Sequence, residues 1–439
     1  MTDTDTKASL ADAVAWLAAC DTLPAEVEAK ARLLILDTLG CLIAGLQHED
    51  VRRFGHGLGL AFPGALTWPS SEIPLGVAGA AALGATAACW DEACEGNAAA
   101  HGRPGLPVVP AMLALAAERG LSLGDVLIAI ATGYEVGARA GEAWRIPPGW
   151  HVDGGWHSLG VAAAAARLVG GPKRMQGAIE TAACQIPASL YLPIPAGSVV
   201  RNTYGAHAVL LGLMAAAAAE AGFEAPRGAL EEGRRRVLRA SEAAAPSPAG
   251  HWTLLDGYLK PFAGVRHTHY AVAAALKLRG RPEFALEKMR GITLRTYGEA
   301  VQYCGNRAPA TPIQAQFSLS YAIAAALVLG DLGPEAYADV GDATIVGIER
   351  RVAIETEPGR ARRGATLVLD LGGATASETV DEVAGDTTMP MRRDDVVAKF
   401  KRYTERALGR PQAETLARFC LDGKADEPVR QCFTFARER

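Results

Sequence analysis

Apolar residues recur at helical spacing from the first turns of the chain. Leu10, Val14 and Leu17 fall on one face of a helix that stops near Asp21 and Thr22, because side chains three and four positions apart share a helix face. Thr22 is placed to cap a second helix, Pro24 sits early in it, and Val27, Ala31 and Leu34 continue its stripe. Gly40 and Gly45 are where that helix is expected to weaken or stop. Further helices are predicted over 76–90, 106–119, 124–141, 157–169, 174–185 and 203–222, with breaks such as GRPG, PPGW and GGPK between them. Long periodic segments with short polar breaks predict an all-helical domain over 1–258.

The period then changes. Residues 290–297 (RGITLRTY), 350–356 (RRVAIET) and 364–371 (GATLVLDL) alternate, and Ala365, Leu367, Leu369 and Leu371 face one way. That is the signature of a half-buried strand. With helices expected at 268–278 and 317–330, residues 259–392 read as a smaller α+β domain. Helical patterns return at 393–407 and 411–420, and the 393–439 segment is expected to pack back on the helical domain. The predicted fold class is mostly α with an α+β part.

Composition narrows the function classes. Hydrophobic residues make up 49% of the chain but aromatic ones only 6%, so small side chains carry the apolar count and favour closely approaching helices. The longest apolar stretches, 76–90 and 208–219, fall short of the roughly 20 residues that a membrane span needs. A net charge of −4 without a block of like charges excludes the basic footprint of a nucleic-acid binder. Eight cysteines form no CxxC pair, which leaves zinc ribbons and thioredoxin-like motifs unsupported. The opening MTDTDTKASLADAV lacks the basic-then-apolar order of a signal peptide. The expectation is a soluble, cytoplasmic protein with reduced thiols.

Candidate chemistry lies in Gly- and Pro-punctuated loops. His101 sits in AAAHGRPG, His151 and His157 in GWHVDGGWHSLG, and His267 and His269 in GVRHTHY. Histidine titrates near neutrality and serves as general acid or base. Taken singly, a loop histidine is more often a solvated side chain or a cap. The HxH pair lacks the carboxylate or further histidine that a metal site would add. Asp91 and Glu92 end an alanine-rich helix, with Glu95 close behind. Arg103, Arg201, Lys260 and Arg266 lie in or beside the same loops, and guanidinium forks match carboxylates bidentately. No GxGxxG, GxxxxGK(S/T) or GxSxG occurs in a supporting context, so nucleotide binding and serine-hydrolase chemistry are unsupported.

Taken in order, ARLLILDTLGCLIAG, HGRPGLPVVPAMLALAAERGLSLGDVLIAIATGYEVGARAG, GWHVDGGWHSLGVAAAAARLVG, the Lys260–His269 run and AQFSLSYAIAAAL resemble the MmgE/PrpD family over nearly the whole chain. That family includes dehydratases, decarboxylases and epimerases of small carboxylic acids. The resemblance implies a helical large domain, an α/β lid domain, a homodimer, and a site between the domains with no metal or organic cofactor. By position it implies Asp91, His101, His157, Lys260, His269 and Tyr321 as catalytic, with Arg103, Arg201, Arg266 and His267 binding a small carboxylic acid substrate. Arg201 stands where decarboxylase-like members have a lysine. The implied activity is a cofactor-independent lyase, a dehydratase of a citrate-like acid. A decarboxylase, an epimerase or isomerase, and a non-catalytic helical scaffold are the alternatives. Three departures surround the expected pocket and leave the substrate open. C-W-D-E-A stands for the usual D-F/Y-D-D-T, so Asp91 matches either the first or the second family aspartate. H-G-R-P stands for H-P-S, and P-F-A-G for Y-P-C-C.

Overall fold

The computed structural model describes residues 9–144, 146–237, 244–360 and 362–434. Ten helices come first: α1 (Leu10–Ala18), α2 (Ala25–Gly45), α3 (Glu49–Ala61), α4 (Val77–Cys89), α5 (Gly105–Arg119), α6 (Leu123–Ala143), α7 (His157–Gly170), α8 (Met175–Ala183), α9 (Tyr204–Glu220) and α10 (Ala229–Arg236). A two-residue ribbon, β1 (Trp150–His151) against β2 (Ser189–Leu190), is antiparallel. The chain then enters an α/β part with α11 (His269–Arg279), β3 (Gly291–Thr296), α12 (Gly298–Cys304), α13 (Pro312–Gln316), α14 (Leu319–Leu329), α15 (Ala343–Glu349), β4 (Val352–Thr356), β5 (Ala365–Asp370) and β6 (Thr375–Val380). It closes with α16 (Arg393–Leu408), α17 (Arg410–Asp422) and α18 (Gln431–Thr434). The molecule is mostly α with a small mixed sheet, the fold class that the change of period predicts.

Small side chains set the helix spacing, and here one of the two glycines acts differently from the expectation. α2 runs unbroken through Gly40 and ends at Gly45, with Leu46 as its C-cap. A Cβ at Gly45 would lie 2.0 Å from the Ala87 carbonyl oxygen of α4, so this glycine both ends α2 and permits its close crossing with α4. α6 and α7 cross in the same way, with Gly133 facing Gly160.

The sheet runs β4-β3-β5-β6. β3 pairs with β4 in parallel, and with β5 antiparallel, Ile292 opposite Leu369. Alternation along β5 buries Ala365, Leu367 and Leu369 beneath α11, which lies across β5 and β6. β6 (TASETV) escapes the sequence pattern because only Ala376 and Val380 are buried on this polar edge strand.

α16 lies on α2. Its Lys399 donates to Asp37 Oδ1 and to the Ala93 carbonyl, both at 2.6 Å. Asp37 is fully enclosed by this contact. The C-terminal helices are thereby tied to α2 and to the loop that carries Glu92. Among the described residues no helix is long and apolar enough to cross a membrane.

Candidate active site

The loop after α4 is built for a specific shape. Asn97 Oδ1 accepts the backbone N–H groups of Ala99 and Ala100 at 3.0 Å each, while the Asn97 N–H donates to the Gly102 carbonyl at 2.8 Å. These bonds close a tight Asx-type loop. Two non-glycine residues within it take left-handed backbone, Glu92 at φ 51° and His101 at φ 53°. Such conformations persist where the surroundings impose them, and they cluster at functional sites. Glu95 accepts the Gly105 and Leu106 N–H groups at 2.8 and 3.2 Å, satisfying the start of α5. Burial nevertheless pushes its carboxyl up to about 8.

This loop forms one wall of a cavity of about 410 Å³. The remaining walls come from Trp144, residues 146–153, Tyr191, Arg201, residues 258–267, α12 and Arg363. Among the described residues five cationic side chains line it: Arg103, Arg201, Lys260, Arg266 and Arg363. Glu92 and Asp153 lie among them. Glu92 pairs with Arg103 at 2.9 Å, with Lys260 at 3.1 Å and with Arg201. Asp153 pairs with Arg103 and, at 3.4 Å, with Arg201. Both guanidinium groups therefore bridge the same two carboxylates. Burial would raise the carboxyls of Glu92 and Asp153, but the surrounding cations outweigh it and hold both well below the usual carboxylate range.

Cys89, Glu92 and Asp153 bring potential ligand atoms within 4.8 Å of one another. That spacing suits a metal, yet the guanidinium groups already lie against all three. Arg201 and Arg103 donate to Cys89 Sγ at 3.0 and 3.3 Å. A trio so occupied repels a further cation.

Burial favours the neutral form of three histidines at the site, His151, His267 and His157. His151 lines the cavity, its Nδ1 accepting the Asp153 N–H at 3.0 Å, and burial lowers its pKa to about 3. His267 lines the opposite wall, bonded through Nδ1 to the Tyr297 hydroxyl at 2.6 Å. Burial, then Arg363 and Lys260, lower it to about 3. His157 opens α7, stacked on Trp156 with ring centroids 3.7 Å apart, and its Nε2 is 3.8 Å from Asp153 Oδ1. Burial brings it to about 4, although Asp153 pulls the other way.

Of the residues singled out in the sequence, His101, Arg103, Arg201, Lys260, Arg266 and His267 meet in this cavity. His157 stands one layer back, behind Asp153. The other three lie in supporting layers. Asp91 faces away and pairs with His48 Nε2 at 3.1 Å. His269 is fully buried, its Nε2 3.2 Å from the Gly264 carbonyl and its Nδ1 3.4 Å from Arg266. Tyr321 donates to the Ala336 carbonyl at 2.6 Å and stacks on Tyr337. Between the two candidate acids that end α4, Glu92 is the one that reaches the cavity. Asp153 was passed over, although it lies between two histidines in HVDGGWH, a spacing that signals it. Arg363, in RARRG, carries no such signal.

Comparison with known proteins agrees with this two-part construction. The sequence model of the MmgE/PrpD N-terminal domain matches residues 8–245, and that of the MmgE/PrpD C-terminal domain matches residues 262–422. The chain belongs to the MmgE/PrpD family. Within this family framework the cavity takes Glu92, Arg103, Asp153 and Arg201 from the N-terminal match, and His267 and Arg363 from the C-terminal match. Lys260 lies in the short stretch between them. A curated relative, cis-aconitate decarboxylase of Aspergillus terreus, is 25% identical over 345 residues, covering 71% of this chain and 69% of that protein.

Proposed function

We propose that this chain is a lyase of a small, citrate-like di- or tricarboxylic acid, acting by proton abstraction beside a carboxylate with loss of water. The observation that carries this is the convergence, among the described residues, of five cations and three histidines on one cavity, with burial favouring the neutral form of His151 and His267. Anionic substrates need fixed positive charge, and carbon acids need an unprotonated base.

In this reading a cavity histidine, His101 or His151, takes the proton from carbon. The electron pair moves into the adjacent carboxylate, whose growing charge is met by Arg103, Arg201 and Lys260. These donors are preorganised by Glu92 and Asp153, so they need not reorient as charge develops. The pair then returns to form the alkene, and the β-hydroxyl leaves as water with the proton that the histidine took from carbon, which restores the neutral base. His157 acts through Asp153, while Asp91, His269 and Tyr321 hold the walls. A homodimer in the cytoplasm belongs to the same proposal.

The decarboxylase of Aspergillus terreus supports a second reading on the same site, in which carbon dioxide leaves and carbon is then protonated. Incubation with citrate, 2-methylcitrate, cis-aconitate and iminodisuccinate, followed by proton NMR, separates the two. An aconitate-type alkene supports the dehydratase, and a product one carboxylate shorter supports the decarboxylase. No product from any acid overturns both.

A further inference from the structure

The five cavity cations are not equivalent. Arg103 and Arg201 are bound to Glu92 and Asp153, and Lys260 is bound to Glu92. Arg266 is pinned to Asp386 at 2.5 Å, donates to the Ala384 carbonyl at 3.2 Å, and lies over the Tyr258 ring. Four of the five are thus held in ion pairs within the protein, with three carboxylates shared among them. Arg363 differs. Among the described residues it has neither an ion pair nor a hydrogen bond, although it is largely shielded and faces Tyr258, Tyr297 and Tyr270. Glu299, on the same wall, makes no ion pair with it.

A partly desolvated guanidinium with no ion-pair or hydrogen-bond partner among the described residues is a costly arrangement. It is readily explained where a ligand supplies the missing anion, since a guanidinium fork binds a carboxylate through two parallel bonds. Position adds a second constraint. Arg363 precedes β5 in the α/β part, whereas Arg103 and Arg201 project from the helical part across the cavity. One carboxylate satisfies only one wall.

Resting on the lyase reading above, we infer that Arg363 is a specificity-determining residue that binds a second, distal carboxylate of the substrate and so selects acids carrying carboxylates at both ends. Arg266, one of the three arginines that the resemblance implies as substrate-binding, is held in the wall by Asp386 and the Ala384 carbonyl.

The test uses the full chain and three inert probes: tricarballylate, glutarate and butyrate. Binding is followed by calorimetry at constant ionic strength in wild type, Arg363→Gln and Arg363→Lys, with thermal unfolding of each variant to confirm the fold. The expected result is that wild type prefers tricarballylate and glutarate to butyrate. Arg363→Gln should lose about 10- to 100-fold for the first two and little for butyrate, the range for a charge-assisted contact. Arg363→Lys should recover part of the loss. Unchanged tricarballylate affinity in a folded Arg363→Gln protein overturns the role of Arg363 alone. Absence of polycarboxylate binding by wild type overturns the lyase reading together with it.

Discussion

Lys260 holds Glu92 twice, its Nζ donating to the Glu92 carbonyl at 2.7 Å and to the carboxylate at 3.1 Å. One ammonium thus fixes both the side chain and the left-handed backbone of a residue that also anchors two guanidinium groups. Glu92 is a structural counter-charge that keeps three cations close together out of water.

Replacing it with a neutral isostere should expose that role. Glu92→Gln leaves Arg103, Arg201 and Lys260 with Asp153 as the remaining acid of the cluster, and breaking a buried ionic network costs about 3–5 kcal/mol. Chemical denaturation should show a loss of that order. Tricarballylate should stabilise the variant more than wild type, because the ligand restores the missing charge. A variant as stable as wild type, or one that gains less from the ligand, would show that Glu92 is not the counter-charge.

The buried His157 makes a signed prediction for pH. Its folded pKa of about 4 lies below the ordinary imidazole value. The unfolded chain therefore takes up a proton at about 6.5, before the folded protein does. The stability this group contributes is complete above pH ~6.5 and is lost as pH falls toward 4, at about 1.4 kcal/mol per pH unit. The difference in unfolding free energy between wild type and His157→Gln should shrink across that window, since other groups cancel. A difference that stays flat from pH 7 to 4.5 contradicts the assignment.

Lys399 and Asp37 test how the C-terminal helices are held. Lys399→Met leaves a buried carboxylate without its ammonium, and Asp37→Leu leaves the reverse. Each should cost about 3–5 kcal/mol, while the double variant recovers much of the loss. A double variant whose loss equals the sum of the two singles would mean that the pair is not coupled.

The sequence made these features legible to different degrees. Helical periodicity located most of the large helices because apolar residues dominate their buried faces. It missed α3, whose Gly55, Gly57 and Gly59 dilute the stripe to Val51 and Leu58. It misjudged Gly40, which faces Phe400 of α16 inside an unbroken α2, because a glycine that admits a neighbouring helix looks, in one dimension, like one that ends its own. Six residues proposed for the site do meet in the cavity, since they occupy loops beside helix starts that recognisable blocks mark out. Asp91 and Glu92 are indistinguishable until the backbone turn at Glu92 decides which carboxylate faces inward. Arg363 was beyond reach, because its importance rests on the absence of a partner, which is a three-dimensional fact.

The most direct test of the central claim is solvent hydrogen exchange at carbon. Protein incubated in deuterium oxide with citrate or cis-aconitate, followed by proton NMR, should place deuterium beside a carboxylate. A His101→Asn, His151→Gln double variant that keeps its fold should lose that exchange by at least about a hundredfold, the scale of general-base catalysis. Exchange that persists undiminished in the double variant, or its complete absence in wild type with either acid, would contradict proton abstraction by these histidines.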